Sequence, residues 1–310
     1  MESFGAHVKL VYAAAPVKTG QACPNIVHRS GAGVGRRSRA ERASQNSSAS
    51  FIICPDPTFF LVTMAKPESA PDPALIEDLV LANRILANEG VLDGYGHVSA
   101  RHDRNPQRFL ISQHRTPVAV TAADIMVLDL DANAADASGG RLTLERFIHS
   151  EIYRARPDVM AVVHSHSPAV IPFGVTGVPL RPIWHVSAFL GLADIPVFEI
   201  RNVAGPATDL LIRSASLGAS LAGSLGDAPV VLMRGHGSTA VGGTLKQVVY
   251  RAIYTEMNAR LQLQSMQLGE VNFLTPEESA AAAPFIEGDL SLSKPWEFWL
   301  KRMRSTDRNV

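Results

Sequence analysis

The segment MAVVHSHSPAVIPFG, residues 160 to 174, constrains the fold more than any other stretch of this chain. Met160, Ala161, Val162 and Val163 form a short, apolar, β-branched run that reads as a buried strand, and Pro168 stops it. Side chains alternate across a strand, so His164 and His166 project from the same face. Two imidazoles so placed form a two-pronged grip for a metal, although the triplet alone also fits two hydrogen-bonded histidines at a strand end.

The bulk of the sequence narrows the classes. A chain of 310 residues makes one large domain or two small ones with ample core. Acidic and basic residues balance at 29 each, which argues against nucleic acid or an anionic membrane as the main partner. No apolar run reaches bilayer-spanning length, so the expectation is a soluble protein. Cys23 and Cys54 are the only cysteines, so the body has no disulfide framework and a reducing cytoplasm fits best.

Residues 1 to 63 differ from the rest of the chain. The first 50 are rich in Ser, Ala, Gly and Arg, with Glu2 and Glu41 as their only acids, and show no sustained apolar period. They share traits with a transit peptide, and Arg36-Arg37 resembles a twin-arginine signal, but no apolar stretch comes after it. The expectation is a disordered or artefactual extension, with a natural start at Met64 and one domain over residues 64–310.

The body reads as mixed α/β. Asp72-Pro73 opens a helix that Gly90 stops. GHVSARH and RFLIS alternate as a hairpin, and IMVLDLD reads as a further strand. Thr143 is placed to cap a helix through LERFIHSEIYRA that ends before Pro157. IPVFEIR, a helix after Pro206, the strand APVVLMRGHG and a long amphipathic helix ending at Gly269 come next, and Thr275–Glu278 has capping-box spacing.

Eight of the ten histidines fall between residues 97 and 236, so a shared site is worth seeking there. His236, between two glycines beyond a buried strand, is a candidate third imidazole, or else a histidine in a tight turn. Glu145 and His149 share a helix face, and their helix feeds directly into the histidine strand. A carboxylate beside three histidines suits either a ligand or an acid–base group.

ERFIHSEIYRARPDVMAVVHSHSP followed by GHG resembles the class II aldolase/adducin family, from about Leu75 to Gln267, roughly three-fifths of the chain. The resemblance implies a three-layer α/β/α fold with a central, mainly antiparallel sheet, and a homotetramer with sites between subunits. It also implies one divalent metal held by His164, His166 and His236, with Glu145, nineteen residues before His164, as the catalytic glutamate.

The departures point to the substrate. Phosphosugar aldolases of the family keep small phosphate-cradling groups where this chain has Gly96-His97, His114-Arg115 and Thr143-Leu144. Imidazole and guanidinium replace that cradle, and Arg115 suits a planar carboxylate. GYGHVSARH, TAADIM and RAIYTEMNARLQ resemble most the branch of metal-dependent decarboxylases of aromatic carboxylates, such as 3-hydroxy-2-methylpyridine-4,5-dicarboxylate decarboxylase. The expectation is a lyase that decarboxylates a hydroxylated aromatic or heteroaromatic (di)carboxylate. Glu145 is its acid, His97 and His149 are second choices, and His97 and Arg115 bind the substrate. Three imidazoles suit Zn²⁺ or Mn²⁺ foremost, then Fe²⁺ or Co²⁺. The alternatives are an aldolase on an unphosphorylated hydroxy-keto substrate, a non-haem iron oxygenase, and a non-catalytic adducin-like module.

Overall fold

The structure is a computed structural model that describes residues 70–135 and 139–307. The extension of residues 1–63, and with it the boundary at Met64, lies outside the described residues. Helix α1 (Pro73–Asn88) begins where the Asp72 carboxylate accepts the Ala74 amide hydrogen, with Pro73 in the first turn. Strands β1 (His97–Arg101), β2 (Arg108–Ser112) and β3 (Ile125–Asp129) come next, then α2 (Arg146–Ala155) and the histidine strand β4 (Ala161–Ser165). Beyond it come α3 (Ile171–Val175), β5 (Val197–Phe198), α4 (Arg201–Ala204), α5 (Ala215–Leu225), β6 (Val230–Met233) and β7 (Gly237–Gly242). Helices α6 (Leu245–Leu268), α7 (Pro276–Ile286) and α8 (Asp289–Asp307) close the chain, α7 with the expected capping box.

All seven strands join one sheet in the order β3-β2-β1-β4-β7-β6-β5, antiparallel except for β5 beside β6. Alternation along the strands divides the core in two. Val98, Ala100, Leu110, Ala161 and Val163 face α1, α6 and α8, and their cluster includes Leu86, Val249 and Trp299. Phe109, Ile111, Val162 and Val241 face α2 and α5, packing with Ile148, Ile152 and Leu221. Helices on both faces of a mainly antiparallel sheet give the three-layer architecture expected from sequence.

Local details correct three expectations. Thr143 does not cap α2: its hydroxyl donates to the Ser112 carbonyl, and Glu145 occupies the N-cap position instead. The IPVFEIR segment contributes two strand residues, because it lies at the sheet edge with β6 as its single neighbour. The IMVLDLD strand stops at Asp129, whose carboxylate accepts the amide hydrogens of Asp131 and Asn133 and folds the chain into a turn.

Candidate active site

Three segments converge at the end of β4. That strand carries His164, and His166 lies one residue beyond it. The turn between β6 and β7 brings His236 alongside. A side chain on Gly237 would collide with the Ser165 carbonyl, so only glycine lets this turn lie so close. Gly96, at φ +81°, brings β1 against β4 in the same way, since a Cβ there would lie 2.9 Å from the His164 carbonyl oxygen. Glu145 enters from the head of α2, where its Oε1 accepts the Ile212 amide hydrogen at 2.8 Å.

The donor atoms meet at short range. His166 Nε2 lies 3.2 Å from His164 Nε2 and 3.0 Å from His236 Nε2. Glu145 Oε2 is 3.7 Å from His164 Nε2 and 3.5 Å from His236 Nε2. All four ligand atoms fall within 4.8 Å of one another. His236 Nδ1 faces the Leu210 carbonyl at 3.0 Å and His164 Nδ1 faces the Ser238 carbonyl at 3.2 Å. A carbonyl only accepts, so both rings carry their hydrogen on Nδ1 and turn a bare lone pair inward from Nε2. His166 Nε2 has one hydrogen at most and satisfies only one of them. A divalent cation resolves this opposition, because ligands bonded at about 2.0–2.1 Å sit roughly 3 Å from each other. The residues present therefore fit a metal.

Protonation is set by burial. Desolvation moves His164 well below the ordinary histidine range, and desolvation together with His236 lowers His166. Neutral rings leave their lone pairs available at neutral pH. Burial alone would raise the Glu145 carboxyl, but its contacts with His236 and His164 outweigh it, and their field holds the group below the usual carboxylate range. A cation among the rings would supply the same field, and Glu145 rests ionised.

His97 pairs directly across β1–β4 with His164, with ring centroids 5.1 Å apart. It does not join the four ligand atoms. Its Nδ1 lies 2.6 Å from His149 Nε2, and His149 Nδ1 lies 2.6 Å from Ser99 Oγ. Ser99 Oγ in turn lies 2.7 Å from the Tyr153 hydroxyl. Burial drives His97 far down and His149 to about 3, so both are neutral. Sequence reasoning missed Ser99 and Tyr153. The signal was present: Glu145 at the N-cap and His149 and Tyr153 on α2 recur every four residues, and His97 and Ser99 every two on β1.

His97 forms one wall of a cavity of about 310 Å³, beside Gly94, Tyr95, His114, Arg115 and Thr143. Tyr95 stands 6.0 Å from the His166 ring, so the cavity abuts the histidine cluster. Arg115 is half exposed at its far side. Its Nε donates to the Ala119 carbonyl at 3.2 Å and lies 3.6 Å from Asp124 Oδ2. Thr121 and Gln113 hydrogen-bond Asp124, and with Arg115 they hold its carboxyl below the usual range. His149 lies behind His97, fully buried, and does not line the cavity.

The profile of the Class II Aldolase and Adducin N-terminal domain matches residues 77–263. The chain belongs to the class II aldolase/adducin family. Decarboxylase tropJ of Talaromyces stipitatus is 36% identical over 265 residues, covering 78% of this chain and 97% of that protein. The 3,4-dihydroxyphthalate decarboxylase of Arthrobacter keyseri is 34% identical, covering 73% of this chain and 93% of its own. Among solved structures, L-fuculose 1-phosphate aldolase from Glaciozyma antarctica shares the fold with a TM-score of 0.62 at 23% identity, over 79% of this chain and 96% of that one. Within the family this chain is an enzyme, a carbon–carbon lyase, which sets aside the non-catalytic module. No helix among the described residues is long and apolar enough to cross a membrane.

Proposed function

We propose that the protein is a metal-dependent decarboxylase of a hydroxylated aromatic or heteroaromatic carboxylate, with a dicarboxylate as the best match. The observation that carries this reading is one small cavity walled by His97 and Arg115 and abutting the cluster of His164, His166, His236 and Glu145. Relatives named for 3,4-dihydroxyphthalate support the class of substrate, an aromatic ring bearing both hydroxyls and two carboxylates.

In this reading the three histidines hold the metal, Zn²⁺ or Mn²⁺ foremost and Fe²⁺ or Co²⁺ otherwise. Bound there, the ion supplies Lewis-acid polarisation to a ring hydroxyl and the neighbouring carboxylate. The chain's own residues do the rest. Glu145, resting ionised, accepts the proton of the ring hydroxyl and delivers it to the ring carbon that bears the departing carboxylate. The carbon–carbon bond then breaks, its electron pair returns to the ring, carbon dioxide leaves, and the ring oxygen recovers a proton from water. Arg115, steadied by Asp124, grips the second carboxylate through two parallel hydrogen bonds. The family resemblance adds a homotetramer, which sizing by light scattering checks.

The test is metal analysis of purified protein, followed by carbon dioxide release from aromatic hydroxy-dicarboxylates beside fuculose- and ribulose-type phosphates. The expected result is about one metal per subunit and carbon dioxide from the aromatic acids. Efficient cleavage of a sugar phosphate would overturn the reading. A carbonyl product from an unphosphorylated hydroxy-keto compound identifies the aldolase instead, and dioxygen consumption identifies an oxygenase.

A further inference from the structure

We infer that Ser99 and Tyr153 fix the tautomer of His97, so that the cavity meets an Nε2–H donor there rather than a bare nitrogen. The inference rests on the proposed function only for what that donor grips. Hydrogens along the buried chain Tyr153, Ser99, His149, His97 can each be assigned a direction. The Tyr153 hydroxyl is buried and has Ser99 Oγ as its single hydrogen-bond partner among the described residues. A buried hydroxyl that donates to nothing is costly, so Tyr153 donates to Ser99. Burial also pushes the Tyr153 phenol up, so it keeps its hydrogen. Ser99 has two partners, Tyr153 and His149, and its own hydrogen must therefore go to His149 Nδ1. A neutral imidazole with Nδ1 bare carries its hydrogen on Nε2, so His149 donates to His97 Nδ1. That leaves the His97 hydrogen on Nε2, which has no protein partner among the described residues and opens on the cavity.

Each step has one direction because the inner end of the chain terminates in hydroxyls with no other acceptor among the described residues. The arrangement also keeps His97 out of the ligand set despite its pairing with His164, since His149 occupies its Nδ1 lone pair. A fixed N–H suits an oxygen of an anionic substrate and cannot take a proton from it. His97 is then a substrate-binding donor, while Ser99, His149 and Tyr153 are positioning residues.

The test reads the tautomer directly. Protein carrying ¹⁵N-labelled histidine and loaded with diamagnetic Zn²⁺ is studied by long-range ¹H–¹⁵N correlation, with the His97 signals assigned by their loss in His97→Asn. The expected spectrum places the His97 hydrogen on Nε2 in the wild-type protein. Ser99→Ala removes the hydroxyl that sets the direction, so the His97 signals should move toward a mixture of tautomers. Its kcat/KM on the aromatic substrate should fall roughly two- to tenfold with metal content unchanged. A wild-type His97 with its hydrogen on Nδ1 overturns the inference, as does an unmoved tautomer in Ser99→Ala. The expected tautomers in a protein that decarboxylates no aromatic acid would uphold the hydrogen-bond chain and remove the substrate assignment alone.

Discussion

The two faces of the central sheet are built from the same strands and buried to the same degree, yet they do different work. Along β1, Val98 and Ala100 join the apolar cluster against α1 and α6, whereas His97, Ser99 and Arg101 face α2. Each of these three side chains has a partner on that second face: His97 with His149, Ser99 with Tyr153, Arg101 with the carbonyls of Tyr153, Val159 and Arg156. Buried polar groups cost stability unless satisfied, and well-packed apolar groups do as well or better for holding a fold. The apolar face thus needs little more than volume. On the α2 face the polar groups are held instead by hydrogen bonds to α2 and to backbone carbonyls.

If the faces divide the labour in this way, the largest loss should come from removal of a donor at the end of the polar face. His164→Ala is expected to lose most of the bound metal and nearly all turnover, because three protein ligands are the minimum for an open catalytic site. The measurement is metal per subunit by emission spectroscopy, with circular dichroism to verify the fold. Stoichiometric metal in the folded variant would break the assignment of β4. Next is Glu145→Gln, which can still accept the Ile212 amide hydrogen through its side-chain oxygen. It should keep metal and fold while kcat falls about 10²–10⁴-fold, since the amide cannot carry the proton. Turnover within a few-fold of wild type would remove Glu145 from the proton path.

A smaller loss is expected at the cavity's outer wall. Arg115→Lys preserves charge, but a point charge cannot reproduce two parallel hydrogen bonds to a carboxylate. The expected cost is about 1.5–3 kcal/mol, or roughly ten- to more than a hundredfold in kcat/KM. Steady-state kinetics on a dicarboxylate and its monocarboxylate analogue would sharpen this. If Arg115 grips the second carboxylate, the variant should narrow the gap between them, and an equal loss on both would place Arg115 elsewhere.

Legibility in the sequence divides along the same line. Strand β4 was legible because its apolar run, its His-x-His ending and Pro168 are all local. The face shared by Glu145 and His149 was legible from their spacing, though the helix proved to begin one residue after Glu145 and not at Thr143. Spacing puts Ser99 on the same face as His97, but its role depends on β1 pairing antiparallel with β4, which sets His97 against His164 across 67 residues of chain. The grip of Ile212 on Glu145 and of Asp124 on Arg115 likewise comes from loops whose course no local pattern encodes. Register and loop path are set by the packing of the whole sheet, and these are the features that aim side chains already recognised by type.

The smallest expected effect on catalysis lies on the opposite face. Leu110, on β2, is fully buried in the apolar cluster against α1 and α6 and touches none of the site's hydrogen-bond chain. Leu110→Ala should destabilise the protein by roughly 2–5 kcal/mol, the transfer term plus the cavity left behind. Urea unfolding should show a lower midpoint with an unchanged slope. Because Leu110 is flanked by Phe109 and Ile111, which face α2, its removal leaves the residues under the site in place. Metal content should therefore stay at the wild-type value and kcat within about twofold at a temperature where the variant is folded. A folded Leu110→Ala protein that loses its metal, or an order of magnitude in kcat, would show that the site depends on the packing of both faces. The separation drawn along β1 would then fail.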